Sequence, residues 1–290
     1  GRTVSRVLNH RGGANPGGTE IIYRIGVKQL SNLGRELDTA TSTYIEKAKF
    51  DPAAEEAPAE YLDVRDRAGT RFRIAVAEGV TSWQIVEGLK RISLLDGDVS
   101  EVPAEGSLAP QSYEVKKGDK REELLAEMAE RQDSILAEAW ENRVEGLPVN
   151  SPEEALILAS LIEKETGVAE ERRQVASVFV NRLRLGMKLQ TDPAVIYGIT
   201  LGQGVLGRGL RRSELRAATP YNTYVIDALT PTPIANPGRA SIEAALDPDS
   251  TDYIFFVADG TGGHAFAVTL AEHNANVARW RQIEAERAAD

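Results

Sequence analysis

The sequence predicts an α+β chain of mixed helices and short sheets, helix-rich toward the C-terminus and carrying a β-hairpin near its end. Three observations carry that reading. Strand-like segments fall within the first 80 residues. Segments with helical periodicity dominate between 119 and 185. Late in the chain a strand-like run meets a glycine-rich loop and then a second strand-like run.

Composition narrows the class. A chain of 290 residues with 42% apolar and 27% charged residues can bury a core and suits two domains or one large one. It has no cysteine, which excludes disulfides, thiolate metal sites and a cysteine nucleophile. No stretch is long and apolar enough to span a membrane, and the opening Gly1-Arg2-Thr3 does not read as a signal peptide. The net charge of −10 argues against nucleic acid as a partner. The segment 163–216 differs, with ten Lys/Arg against six Asp/Glu, a balance of +4. It is either an ordinary mixed surface or a face that attracts carboxylate-bearing ligands.

The elements follow in order. Residues 11–18 (RGGANPGG) form a loop or linker after a helical tail holding Val4, Val7 and Leu8. Residues 19–25 read as a strand, 50–60 as an exposed excursion, and 61–64 and 71–77 as strands, the last with Phe72, Ile74 and Val76 on one face. Residues 81–91 form a helix with Thr81 and Gln84 spaced as a capping box. A long helix over 119–142 carries the stripe Leu125, Met128, Gln132, Ile135, Ala139. Ser151-Pro152-Glu153-Glu154 opens a helix that runs to Thr166 and stops at Gly167. Another helix covers 169–185, and a short one begins at Asp192-Pro193 and ends at Gly198. Strands over 253–258 and 264–269 flank the loop 259–263, and a helix over 270–287 closes the chain.

The informative residue is Glu165. On the 152–166 helix, Ala155, Leu158, Ala159 and Ile162 make the buried stripe, and Glu165 projects from that same stripe while Glu163 and Lys164 point elsewhere. Periodicity alone leaves two readings. Glu165 is a solvated residue of a frayed last turn, or an acid facing apolar neighbours and the negative end of the helix dipole. Both features of the second reading raise a carboxyl pKa, and a carboxylic acid that stays protonated near neutrality suits glycosidic bond cleavage.

Other chemistries fit less well. His264 and His273 lack the spacing of a zinc helix, there is no GxSxG elbow, and Gly260, Gly262 and Gly263 lead into a strand and not a helix N-terminus. Asp192 is available as a second carboxylate, or is the N-cap of its helix. Arg182, on an apolar stripe, is expected to pair with a buried acid, Glu163 being one partner.

Longer strings carry a family resemblance. They are Ala159-Ser160-Leu161-Ile162-Glu163-Lys164-Glu165-Thr166, then Val175-Ala176-Ser177-Val178-Phe179-Val180-Asn181-Arg182-Leu183, then Leu189-Gln190-Thr191-Asp192-Pro193 with Tyr197-Gly198. Pro220-Tyr221-Asn222-Thr223-Tyr224, Ile234-Ala235-Asn236-Pro237-Gly238, and Phe256-Val257-Ala258-Asp259-Gly260 with Gly263-His264-Ala265-Phe266 follow. Together, with Glu78-Gly79 and Glu105-Gly106-Ser107-Leu108-Ala109-Pro110-Gln111-Ser112-Tyr113 fitting more loosely upstream, they resemble the MltG (YceG-like) endolytic murein transglycosylases from about residue 71 to the C-terminus. The resemblance implies an enzyme that cuts peptidoglycan between N-acetylmuramic acid and N-acetylglucosamine and leaves a 1,6-anhydro end. It implies the second glutamate of Glu-Lys-Glu-Thr, Glu165, as catalytic acid, with no metal and no cofactor. It implies a bacterial inner-membrane anchor absent from this chain, a periplasmic location, and cell-wall synthesis proteins such as penicillin-binding proteins as partners.

On that basis the chain divides into 1–18, the tail of a truncated LysM-like module and linker; 19–145, an α+β part; and 146–290, a catalytic core whose cleft the hairpin borders. Anhydro-forming cleavage needs one acid/base group, because the sugar's own C6 hydroxyl is the nucleophile. Gln190 is a candidate for an N-acetyl contact or for loop packing. Tyr221 and Asn222 are candidates for the cleft wall, Asn222 alternatively capping a turn. His264 heads a strand beside a glycine-rich loop, at the site or merely on the surface. Tyr224 is read as core. A catalytically idle glycan-binding scaffold, and a muramidase using Glu165 with Asp192, are the competing functions.

Overall fold

The computed structural model describes residues 18–27 and 30–289. The expected tail at 1–17 lies outside the described residues. The first half is a five-stranded mixed sheet in the order β3-β2-β1-β4-β5. Strand β1 (Thr19–Ile25) pairs antiparallel with β2 (Leu30–Asp38) and parallel with β4 (Arg71–Val76). Strand β3 (Thr43–Phe50) lies outside β2, and β5 (Ser112–Val115) outside β4. Ile21, Tyr23, Ile25, Ile74 and Val76 form the heart of this core, and helices α1 (Ala59–Asp66) and α2 (Ser82–Lys90) contribute to it. The Thr81–Gln84 capping box at the start of α2 is formed in both directions.

The expected strand at 61–64 is a helix, α1. Tyr61 and Val64, three apart, are the buried pair (3% and 1% exposed), so the working period was that of a helix and not of a strand. Three strands carried too little alternation to be legible. In β2 buried and partly buried residues do not alternate, and opposite Gly34 and Arg35 the register shifts because Lys47 of β3 is bulged out of the ladder. Strand β3 is an edge whose side chains are mostly exposed, so nothing selected an apolar face. Strand β5 is four residues long.

Helix α3 (Arg121–Glu141) joins the two cores. Leu124, Leu125 and Met128 belong to the first, Ile135 and Ala139 to the second. Between them buried Gln132 donates from Nε2 to the Gly106 and Pro237 carbonyls, both at 3.1 Å, tying a loop of each half to the same helix.

The second core is helical. Helices α4 (Pro152–Glu165), α5 (Arg172–Arg184), α6 (Asp192–Thr200) and α7 (Arg239–Leu246) supply it. The hairpin of β6 (Phe255–Ala258) and β7 (His264–Ala267) adds Phe256 and Phe266, and α8 (Leu270–Ala289) lies against that hairpin. Helix α4 opens as the sequence predicts, with the Ser151 hydroxyl accepting from the Glu154 N–H. Its end differs. Thr166 turns extended at φ −135°, and its hydroxyl accepts from the Val168 N–H, so a threonine and not a left-handed Gly167 ends the helix. At α6 the N-cap position belongs to Thr191, Asp192 is the first helical residue, and the helix continues past Gly198 to Thr200.

Candidate active site

Helix α4 delivers Glu165 to the junction of the helices and the hairpin. Ala155, Leu158, Ala159 and Ile162 are all fully buried, and the stripe they define continues into Glu165, which is largely enclosed by protein but keeps an accessible edge. Among the described residues no cation comes within ion-pair distance of its carboxyl. Burial pushes the carboxyl up to about 7, and the neighbouring Asp192 adds to the rise; Thr191, His264 and Arg182 pull the other way. The Thr191 hydroxyl that leans toward it is itself buried and lacks a close hydrogen-bond partner. With its pKa raised to about 7, Glu165 retains near neutrality a share of the proton that a solvated glutamate would have lost, and its enclosure at the end of a formed helix turn excludes the frayed-turn reading.

Arg182 does not pair with an acid. It is 7% exposed and donates to three carbonyls: from Nε to Ile254 at 2.7 Å and from Nη1 to Leu189 at 2.9 Å and Lys188 at 3.2 Å. One buried guanidinium thus pins the approach to β6 against the loop that leads to Thr191, which is why it lies on an otherwise apolar stripe. Glu163 acts elsewhere, accepting from the Gly238 N–H at 3.0 Å and the Ser241 hydroxyl at 2.7 Å, so it anchors the start of α7.

The other candidates separate. Asp192 is exposed, and its Oδ1 accepts from the Tyr224 hydroxyl at 2.7 Å. Tyr224 is not plain core: burial and then Asp192 raise its pKa, and it lies close enough to Glu165 and Arg182 to feel both charges. Gln190 is exposed, with left-handed backbone at φ +54° that is uncommon for a residue with a side chain. Its N–H donates to the Thr223 carbonyl at 3.0 Å.

Asn222 is fully buried, and its amide donates to the Glu214 carbonyl at 3.1 Å and the Ala217 carbonyl at 2.7 Å. It adopts the turn-capping alternative and offers no surface to a ligand. Tyr221 packs edge-on to Tyr197 at 5.0 Å and its hydroxyl bonds Thr232 at 2.9 Å. Tyr197 in turn donates to half-buried Glu105 at 3.1 Å, so Tyr221 belongs to the far end of α6, about 7 Å along the axis from Asp192.

His264 lies near enough to Glu165 for their charges to interact. Glu171, on the 3-10 turn before α5, accepts from its backbone N–H at 2.9 Å and lies 2.8 Å from its Nδ1. Sequence reasoning missed Glu171 because an acid just ahead of a helix is fully explained by the helix dipole. It missed Thr191 because an isolated threonine before Asp-Pro carries no chemical signature. The basic excess of 163–216 is not gathered here. Arg173 pairs with Asp247 and Asp249 and Lys188 with Asp227, acids outside the segment, while Arg208 pairs with Glu214 within it.

A shielded carboxyl titrating near neutrality, beside a second carboxylate and a carboxylate-anchored histidine, is the arrangement of a general acid–base site. The chain belongs to the YceG-like family, whose sequence profile matches residues 25–279. It is 40% identical over 172 residues to an endolytic murein transglycosylase of Bacillus subtilis, an alignment covering 59% of this chain and 46% of that protein. It is 35% identical over 181 residues to an endolytic murein transglycosylase of Streptococcus pneumoniae serotype 2, covering 60% of this chain and 32% of that one. The match thus spans less than half the length of these relatives. A crystal structure of a yceG-like protein from Listeria monocytogenes superposes with a TM-score of 0.59 at 28% identity, over 81% of this chain and 84% of that one.

Proposed function

We propose that this chain is the catalytic part of an endolytic murein transglycosylase, cutting the MurNAc–GlcNAc β-1,4 bond of peptidoglycan and releasing 1,6-anhydro-MurNAc ends. The observation that carries the reading is Glu165, an acid pushed up to about 7 with no cation paired to it. Cleavage requires a proton on the departing glycosidic oxygen, and a carboxyl titrating near the working pH both gives and retakes a proton efficiently. Glu165 donates to the leaving oxygen as that bond breaks. The resulting carboxylate then takes the proton from the C6 hydroxyl, whose oxygen closes on C1. No water enters, and the acid is restored.

Family membership and the named relatives support the substrate class. On the same reading the natural protein is anchored in the inner membrane, its soluble part faces the periplasm, and it works on nascent strands beside cell-wall synthesis proteins. Among the described residues no helix is long and apolar enough to cross a membrane.

Asp192 favours a second reading. It raises the Glu165 pKa by its charge and is therefore close enough to matter, as the partner carboxylate of a hydrolase would be. Product mass decides between them: glycan strands cut by transglycosylation end in anhydro sugars lighter by one water than hydrolysed ends. Products carrying the full water would establish the muramidase reading instead.

A further inference from the structure

The Glu171–His264 contact is built with more care than a surface ion pair needs. One carboxylate takes both the backbone N–H of His264 at 2.9 Å and its ring Nδ1 at 2.8 Å, on a residue pair whose side chains are only 16% and 17% exposed. The hairpin makes room for it. A Cβ added at Gly263 would fall 2.4 Å from Glu171 Oε1, although the Gly263 backbone is not in the left-handed region. Glycine is needed there for the carboxylate's approach and not for the turn. The imidazole is further wedged by Phe256, whose ring meets it edge to face at 5.2 Å.

A carboxylate has only acceptors, so the ring nitrogen facing it carries the proton. Nδ1 is thereby a donor to Glu171, and in the neutral ring Nε2 is a bare acceptor. Among the described residues Nε2 has no protein partner. The ring lies near enough to Glu165 for their charges to interact.

We propose that Glu171 is a positioning residue of this site, fixing His264 in the Nδ1–H tautomer so that Nε2 accepts a hydrogen bond from a hydroxyl or acetamido N–H of the sugar held against Glu165. The substrate half of this statement rests on the transglycosylase reading; the tautomer half does not. The amide of Glu171→Gln discriminates. With its carbonyl oxygen kept on the His264 backbone N–H, its NH2 faces Nδ1 and donates to it, which moves the ring proton to Nε2 and turns the acceptor into a donor. Gly263→Ala disturbs the same contact by another route: its Cβ displaces the Glu171 carboxylate, which releases the ring from the fixed tautomer, and leaves the backbone unstrained.

The experiment is 15N NMR of the histidine side chains, with the His264 signal assigned by its loss in His264→Gln, together with kcat and KM on glycan strands and melting curves. The wild type is expected to show His264 as Nδ1–H and Glu171→Gln to show it as Nε2–H. Turnover should fall by about 10- to 100-fold in Glu171→Gln, taking as guide the loss seen when the partners that orient metal-bound histidines are removed. Gly263→Ala should fall in the same direction, with melting temperatures little changed. A tautomer that is already Nε2–H in the wild type, one that does not switch, or a switch with wild-type turnover overturns the proposal. Failure of the transglycosylase reading shows separately, as cleavage that survives in Glu165→Gln; if the wild type cleaves no glycan strand, the tautomer measurement alone decides the positioning.

Discussion

Two buried glutamates, one in each half, show how differently the same side chain is treated. In the sheet half, Glu20 is 1% exposed and lies between two guanidinium groups, Arg35 Nε at 2.5 Å and Arg73 Nη2 at 3.2 Å. In the helical half, Glu165 is also enclosed but no cation among the described residues pairs with it; Arg182, the nearby guanidinium, is instead committed to backbone carbonyls. Charge compensation serves the fold in the first case. Its absence in the second leaves a carboxyl that burial raises to about 7, so that it titrates near neutrality. A buried acid without a partner destabilises a fold, so its presence at the end of α4 calls for a chemical use.

That contrast can be broken at four points. The largest effect belongs to Glu165→Gln, which keeps shape and removes the titrating proton. Activity on glycan strands should fall by about 10²–10⁴-fold, or roughly 3–5 kcal/mol of barrier, and its pH profile in the wild type should decline as the acid is lost above about 7. Near wild-type production of anhydro ends by this variant would remove Glu165 from the chemistry. The opposite pattern is expected of Glu20→Ala. Leaving Arg35 and Arg73 without their buried partner should lower stability by about 3 kcal/mol in urea unfolding, with the activity per folded molecule unchanged.

Third is the stability of Glu165→Gln against pH. The folded pKa lies above the unfolded value, so wild-type stability is fully present below about 4.5 and declines as pH rises through about 7. The Gln variant lacks that decline. It should match the wild type near pH 4 and exceed it by about 2 kcal/mol above pH 7, allowing for the accessible edge of the carboxyl. Equal stabilities at pH 8 would show that Glu165 is not perturbed. The smallest effect is that of Glu163→Gln, two residues away on the same helix. It weakens the bonds to Gly238 and Ser241 at the start of α7 and should cost about 1 kcal/mol, seen as a drop in Tm, with kcat close to wild type. A large fall in kcat at unchanged Tm would place Glu163 in the chemistry and blur the distinction between the two glutamates.

The sequence by itself determined what depends on spacing along one element. The capping box of α2, the stripe of α3, the cap of α4 and the projection of Glu165 from the apolar face are local geometry, fixed by a helix's 3.6-residue repeat, and each is found as read. The hairpin is equally local, because five residues rich in glycine close it. What lies outside those limits was invisible for stated reasons. Edge strand β3 has no face to bury and is bulged at Lys47, β2 buries residues without alternation, and the helix at Ala59–Asp66 is too short for its period to show.

The surroundings of Glu165 were decided only in three dimensions. His264 is 99 residues away in the chain, and its anchor Glu171 lies 93 residues from it. Arg182 has no acid because three carbonyls happen to converge on it. Asn222 is sealed in its own loop, whereas Tyr224, two residues on, reaches Asp192. A pKa depends on what is brought within a few ångströms and on how much water is removed, and both are properties of packing between elements. Periodicity could therefore say which way Glu165 points, while only the packed structure could say that it arrives without a partner.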